Sequence, residues 1–94
     1  MRWGRDLGVK TSAGINQLSF APESYVESFC RTMHEAGTPE IVLYDGGSGM
    51  SPEGYEHMVR IAKTHAPDAV IGVHTHNMFD LAIACAVAAA RGGA

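Results

Sequence analysis

Positive charge is scarce here: seven Lys and Arg stand against ten Asp and Glu, for a net charge of −3 over 94 residues. The seven cations are scattered, so no basic stripe exists for a nucleic-acid backbone or an anionic membrane surface. Cysteine is nearly missing. Cys30 and Cys85 lie far apart with no CxxC between them, which speaks against a disulfide scaffold and for reduced thiols. Long hydrophobic runs are also lacking. The longest, Leu81 to Ala90, is well short of the ~20 residues a membrane helix needs. The opening Met1-Arg2-Trp3-Gly4-Arg5-Asp6 has no apolar signal-peptide core. These absences predict a soluble cytoplasmic protein with neither nucleic acid nor membrane as partner. What remains is 46% hydrophobic residues, enough for one small core and no more than one domain.

The chain does have a beat. A strand followed by a helix recurs three times, with comparable points at Val9, Glu40 and Val70. The first unit opens with a β-prone run from Gly8 to Ile15. Pro22 then suits the start of a helix, in which Val26, Phe29, Cys30 and Met33 fall at i, i+3, i+4 and i+7. Gly37 is placed to end it. The second unit begins with the apolar strand Glu40-Ile41-Val42-Leu43-Tyr44 and passes through the turn Asp45-Gly46-Gly47-Ser48-Gly49-Met50. Ser51 and Pro52 are a cap and first residue for the next helix, whose stripe is Tyr55, Met58, Val59 and Ala62. The third unit is Ala69-Val70-Ile71-Gly72-Val73-His74, followed by an alanine-rich helix from about Asp80 to Arg91. Near-continuous apolar strands are expected where both sheet faces are covered. Strands and helices alternating at this period predict an α/β protein built of parallel βαβ units.

In such folds chemistry gathers at the carboxyl ends of the strands. Three polar clusters fall there: Asn16-Gln17, Asp45 with its glycine turn, and His74-Thr75-His76-Asn77. Residues two apart on a strand project to one side, so His74 and His76 can face one point. Neutral imidazole is a good ligand for divalent transition metals; a catalytic site normally takes three protein ligands. The competing reading is two histidines hydrogen-bonded at a strand end. Asp45 can orient a ligand or cap its own loop. The Gly46–Gly49 turn can cradle an anion, as in a flavodoxin-like phosphate-binding module, or be a plain turn. His34, His57 and His65 read as surface or boundary residues, Tyr25, Tyr55 and Trp3 as packing residues, and both cysteines as buried small hydrophobes.

Taken together, Tyr44-Asp45-Gly46-Gly47 to Ser51-Pro52, Gly72-Val73-His74-Thr75-His76-Asn77, Leu81-Ala82-Ile83-Ala84 and Gly92-Gly93-Ala94 resemble the pyruvate-carboxyltransferase-like metallolyases. That group includes isopropylmalate and homocitrate synthases, hydroxymethylglutaryl-CoA lyase and 4-hydroxy-2-oxovalerate aldolase. The spacing from Gly14 through Pro22 and Gly37, with Gly49-Met50-Ser51, is most similar to the aldolase. Cys85 stands where the family usually has Asn.

The resemblance implies part of a (β/α)8 barrel, about three βα units spanning residues 1–94 and corresponding to strands five to seven. It implies His74 and His76 as ligands to a divalent metal (Mn, Mg or Zn), and Asp45 and Asn77 as residues orienting ligands or substrate. The chemistry implied is an aldolase-type cleavage, or an acyl condensation, of a 2-oxo acid through an enolate. Three strands cannot close a barrel, and the family's first-strand Asp-Arg-Glu element is not in this sequence. The isolated chain is therefore expected to be inactive, and to be homo-oligomeric or completed by the missing barrel segments. A truncated barrel piece serving only as an interaction element is the remaining alternative.

Overall fold

The computed structural model describes residues 2–94. A short helix α1 (Arg2–Asp6) leads to strand β1 (Ala13–Ile15), a 3-10 turn (Leu18–Phe20) and helix α2 (Glu23–Glu35). Then come β2 (Glu40–Tyr44), α3 (Pro52–His65), β3 (Val70–His74) and α4 (Ala82–Gly92). The strands form one parallel sheet in the order β1-β2-β3. Sequential parallel neighbours joined by helices are what successive units of a (β/α) barrel look like.

The local signals mostly act as the sequence predicts. The Ser51 hydroxyl accepts from Gly54 N at 3.0 Å, with Pro52 opening α3. Gly37 follows the end of α2 with φ 75. Its N–H reaches the His34 carbonyl and that of Thr38 reaches Met33, both at 3.0 Å, the paired bonds of a Schellman motif. Pro22 sits one position earlier than expected, as the residue capping α2.

The first strand is shorter than predicted. Gly8 does not open it but closes α1, at φ 75 with its N–H on the Arg5 carbonyl and that of Val9 on Gly4. Only Ala13, Gly14 and Ile15 find partners on β2, at Ile41, Val42 and Leu43.

The helices cover one face of the sheet. Ile15, Ile41, Leu43 and Ile71 point into that layer and are buried against Val26, Cys30, Tyr55, Val59 and Ala62. The predicted α3 stripe of Tyr55, Met58, Val59 and Ala62 is buried throughout. Of the α2 stripe, Val26 and Cys30 are buried, while Phe29 and Met33 pack at the margin. Helices α3 and α4 approach closely at Gly92, where a Cβ would meet the Glu56 carbonyl oxygen at 2.7 Å.

The opposite face is a correction to the reading of strands covered on both sides. Burial alternates along β2, with Val42 and Tyr44 only half-buried, and on β3 Val70 and His74 are exposed. The apolar character of these alternate positions suits a wall that the described residues do not themselves provide. Trp3 and Tyr25, read as packing residues, are also exposed, at 81% and 52%.

Candidate metal centre

The residues at the carboxyl ends of β2 and β3 separate onto two sides of the sheet. Strand parity puts Tyr44 and His74, which are register partners, on the open side. His76 follows two residues later, and its ring centroid lies 4.9 Å from that of His74, with the planes at 52°. Both histidines are exposed.

That spacing fits a shared ion. With metal–nitrogen bonds of about 2.0–2.1 Å, two imidazoles on one ion at octahedral to tetrahedral angles have centroids roughly 4.5–5.2 Å apart. Among the described residues no group of three or more His, Cys, Asp or Glu comes together as a complete metal site. Two imidazoles can offer an ion two ligands, where a catalytic site normally takes three from the protein.

Asp45 does not join them. It is the next residue after Tyr44, so it turns to the helix side, where it is buried at 2% exposure. Its Oδ2 accepts from Met50 N at 2.7 Å, and its backbone carbonyl accepts from Ser48 N at 3.0 Å. The carboxylate thus ties the glycine turn back onto the strand end. Ser48 within that turn has φ 53. Asp45 Oδ1 and the buried hydroxyls of Ser19 and Ser48 have no hydrogen-bond partner among the described residues.

Two further groups surround this carboxylate. The Tyr55 hydroxyl lies 3.1 Å from the His74 carbonyl and 3.4 Å from that of Leu43, joining α3 to both strand ends. Burial, followed by the charge of Asp45, pushes its phenol well above the usual range. The Cys85 thiol donates to the Met50 carbonyl at 3.5 Å and is likewise raised, first by burial and then by Asp45 and Glu53. A thiol held neutral in this way is a packing group rather than a nucleophile.

Asn77 is exposed and serves the turn it stands in. Its Oδ1 accepts from Ala82 N at 3.2 Å, at the start of α4, and its Nδ2 approaches Asp80 Oδ1 at 3.4 Å. Neither Asn77 nor Asp45 makes a side-chain hydrogen bond to the histidine rings. A surface groove of about 300 Å³ lined by Glu53, Glu56, His57 and Arg60 contains none of these residues.

Sequence reasoning passed over one member of the open side. Tyr44 stacks at 5.1 Å from His74, with planes at 36°. The signal was available: Tyr44 ends β2 as His74 ends β3, and the matched strand ends put them in one row.

Comparison with known proteins covers the whole sequence. The family model described as HMGL-like matches residues 1–94. The chain is 25% identical over 92 residues to homocitrate synthase of Sulfolobus acidocaldarius, and 30% identical over 94 residues to 2-isopropylmalate synthase 2 of Caldanaerobacter subterraneus. Those alignments take in 98% and 100% of this chain but only 20% and 24% of the two relatives. The chain thus spans about a fifth to a quarter of the length of the curated relatives it matches.

Proposed function

The chain belongs to the HMGL-like family, and on that premise we propose that it is the metal-holding segment of a (β/α)8 barrel enzyme acting on 2-oxo acids. In this reading residues 1–94 are strands five to seven with their helices, and further βα units complete the wall over the open sheet face. His74 and His76 hold the divalent ion, whether Mn, Mg or Zn. When bound, such an ion supplies Lewis-acid polarisation of the substrate's carbonyl, easing the negative charge that develops as a neighbouring carbon–carbon bond breaks or forms.

The chain's other residues prepare that site. Asp45 fixes the glycine turn beside the pair through Met50 N, and Asn77 fixes the turn after it through Ala82 N. Each orients ligands or substrate by way of the loop it holds. Thr75, between the two ligands, faces the other way by strand parity.

The observation that carries the reading is the histidine pair: two rings 4.9 Å apart on the open side, at the carboxyl end of a parallel strand. Calorimetric titration of the complete barrel with Mn or Zn tests it. His74→Ala and His76→Ala are each expected to weaken binding at least about tenfold. Both side chains are exposed, so far-UV circular dichroism of the variants should match the parent. Unchanged affinity in both variants would overturn the ligand assignment.

Two reaction types fit the family. Gly49-Met50-Ser51 and the spacing from Gly14 to Asp45 favour aldol cleavage of a 4-hydroxy-2-oxo acid. The two relatives carry the names of synthases, which favours condensation of an acyl thioester with a 2-oxo acid. In the complete barrel, release of free thiol from the thioester separates the two.

A further inference from the structure

The open face of the sheet is not uniform. Its lower row is Gly14–Val42–Gly72, register partners across all three strands, and its upper row carries Tyr44 and His74. The two glycines flank the same valine but differ in what they permit. A Cβ built on Gly72 would make ordinary contact, 3.5 Å from Val42 Cγ2. A Cβ built on Gly14 would stand 2.6 Å from Tyr44 Cε2 and 3.2 Å from Cδ2. Real side chains do not approach so closely, so the Tyr44 ring lies where only the bare backbone of β1 leaves room. Gly14 has no positive φ to explain it, as Gly8, Gly37 and Gly93 do. Its role is the space above it.

The ring seated there meets His74 on its other side, at 5.1 Å between centroids, and His74 in turn meets His76 at 4.9 Å. His74 has no side-chain hydrogen bond among the described residues to fix its χ angles. An exposed imidazole without such a bond samples several rotamers, and holding it in one removes an entropic cost from ligation.

The geometry points to Tyr44 as a positioning residue: seated on Gly14, its ring props the His74 imidazole in the orientation the histidine pair uses to chelate a divalent cation. This rests on the metal reading above and adds to it two residues that touch no metal. The support is by packing and shape, so Phe serves as well as Tyr, and a Cβ on Gly14 disables it without altering Tyr44.

The test uses the 94-residue chain, with Ni(II) as probe and histidine-ring NMR as a readout that needs no metal. Tyr44→Leu should shift the His74 ring resonances by removing the neighbouring ring current, and weaken Ni(II) binding about tenfold, the low end for loss of an outer-shell support. Tyr44→Phe should restore both. Gly14→Ala should reproduce Tyr44→Leu, Gly72→Ala should match the parent, and Gly14→Ala added to Tyr44→Leu should cost nothing more. Overturning results are His74 resonances indifferent to Tyr44→Leu, or a Gly14→Ala effect that persists in full without the tyrosine. A His74→Ala variant with parental Ni(II) affinity would sink the metal reading by itself, while the ring shift still decides whether Tyr44 props His74.

Discussion

The two faces of one sheet are made from the same strands and do different work. On the helix side, Ile15, Ile41, Leu43 and Ile71 interlock with α2 and α3, and the buried Asp45 carboxylate is bound to a backbone N–H. On the open side stand two glycines, Val42, a tyrosine and a histidine, with partial or full exposure. Alternation along a strand is enough to separate them: Leu43 and Asp45 go one way, Val42 and Tyr44 the other. One face holds the fold together. The other carries the groups that can do chemistry.

The largest expected difference follows from that division. Leu43 is fully buried, and Leu43→Ala should destabilise by about 2–5 kcal/mol through lost burial and a cavity. Val42, its sequence neighbour, faces the open side half-buried, and Val42→Thr should stay within roughly 0.5 kcal/mol. Urea unfolding of both variants sharpens the comparison. Equal losses would mean that Val42 is as tightly packed as Leu43 in solution, and the distinction between the faces would fail.

How much of this was legible beforehand depended on the range of the interactions involved. The α3 stripe, the Ser51 cap, the Gly37 terminator and strand β2 are local features, in which side-chain spacing or backbone freedom decides the outcome. The limits of β1 are not local. Gly8 suits a strand boundary and a helix terminator equally, and the choice falls to α1, a short helix with no apolar stripe to announce it. The strand then begins only at Ala13, where β2 offers partners. At the site, the histidine spacing was legible from parity alone. The burial of Asp45 and the seating of Tyr44 over Gly14 were not, because both depend on which side of the sheet receives the helices.

The helix side should also be the alkaline weak point. Burial pushes the Cys30 thiol from its ordinary 9.0 up to about 11. A folded value above the unfolded one means full stability below about pH 9, lost progressively as pH rises towards 11, because the unfolded chain releases the proton first. Each pH unit in that window is worth about 1.4 kcal/mol per such thiol. Cys85 is raised in the same direction and adds to the loss. Chemical unfolding from pH 8 to 11 should therefore show a falling stability, and Cys30→Ala should flatten the slope by about one proton. An unchanged slope would mean that Cys30 is solvated in the folded state.

A smaller effect tests a bond between the helix layer and the strand end that carries His74. The Tyr55 hydroxyl reaches from the helix layer to the His74 carbonyl at 3.1 Å, so the residue that presents an imidazole on the open side is held by its backbone from behind. That carbonyl also accepts from Asp45 N at 3.3 Å, and Tyr55→Phe removes one of its two bonds without leaving it bare. The cost should be at the usual scale of a single neutral hydrogen bond, about 0.5–1.5 kcal/mol. The ring itself, which fills the core beside Val59 and Leu43, is kept. The phenol stays protonated far into the alkaline range, so this contribution should be constant from pH 6 to 9. The comparison sharpens if Tyr55→Phe, at this modest cost, also speeds hydrogen exchange at Asp45, whose N–H shares the carbonyl. If exchange there is unaltered, the strand ends are held by the sheet alone, and the helix layer has no hold on the position of His74.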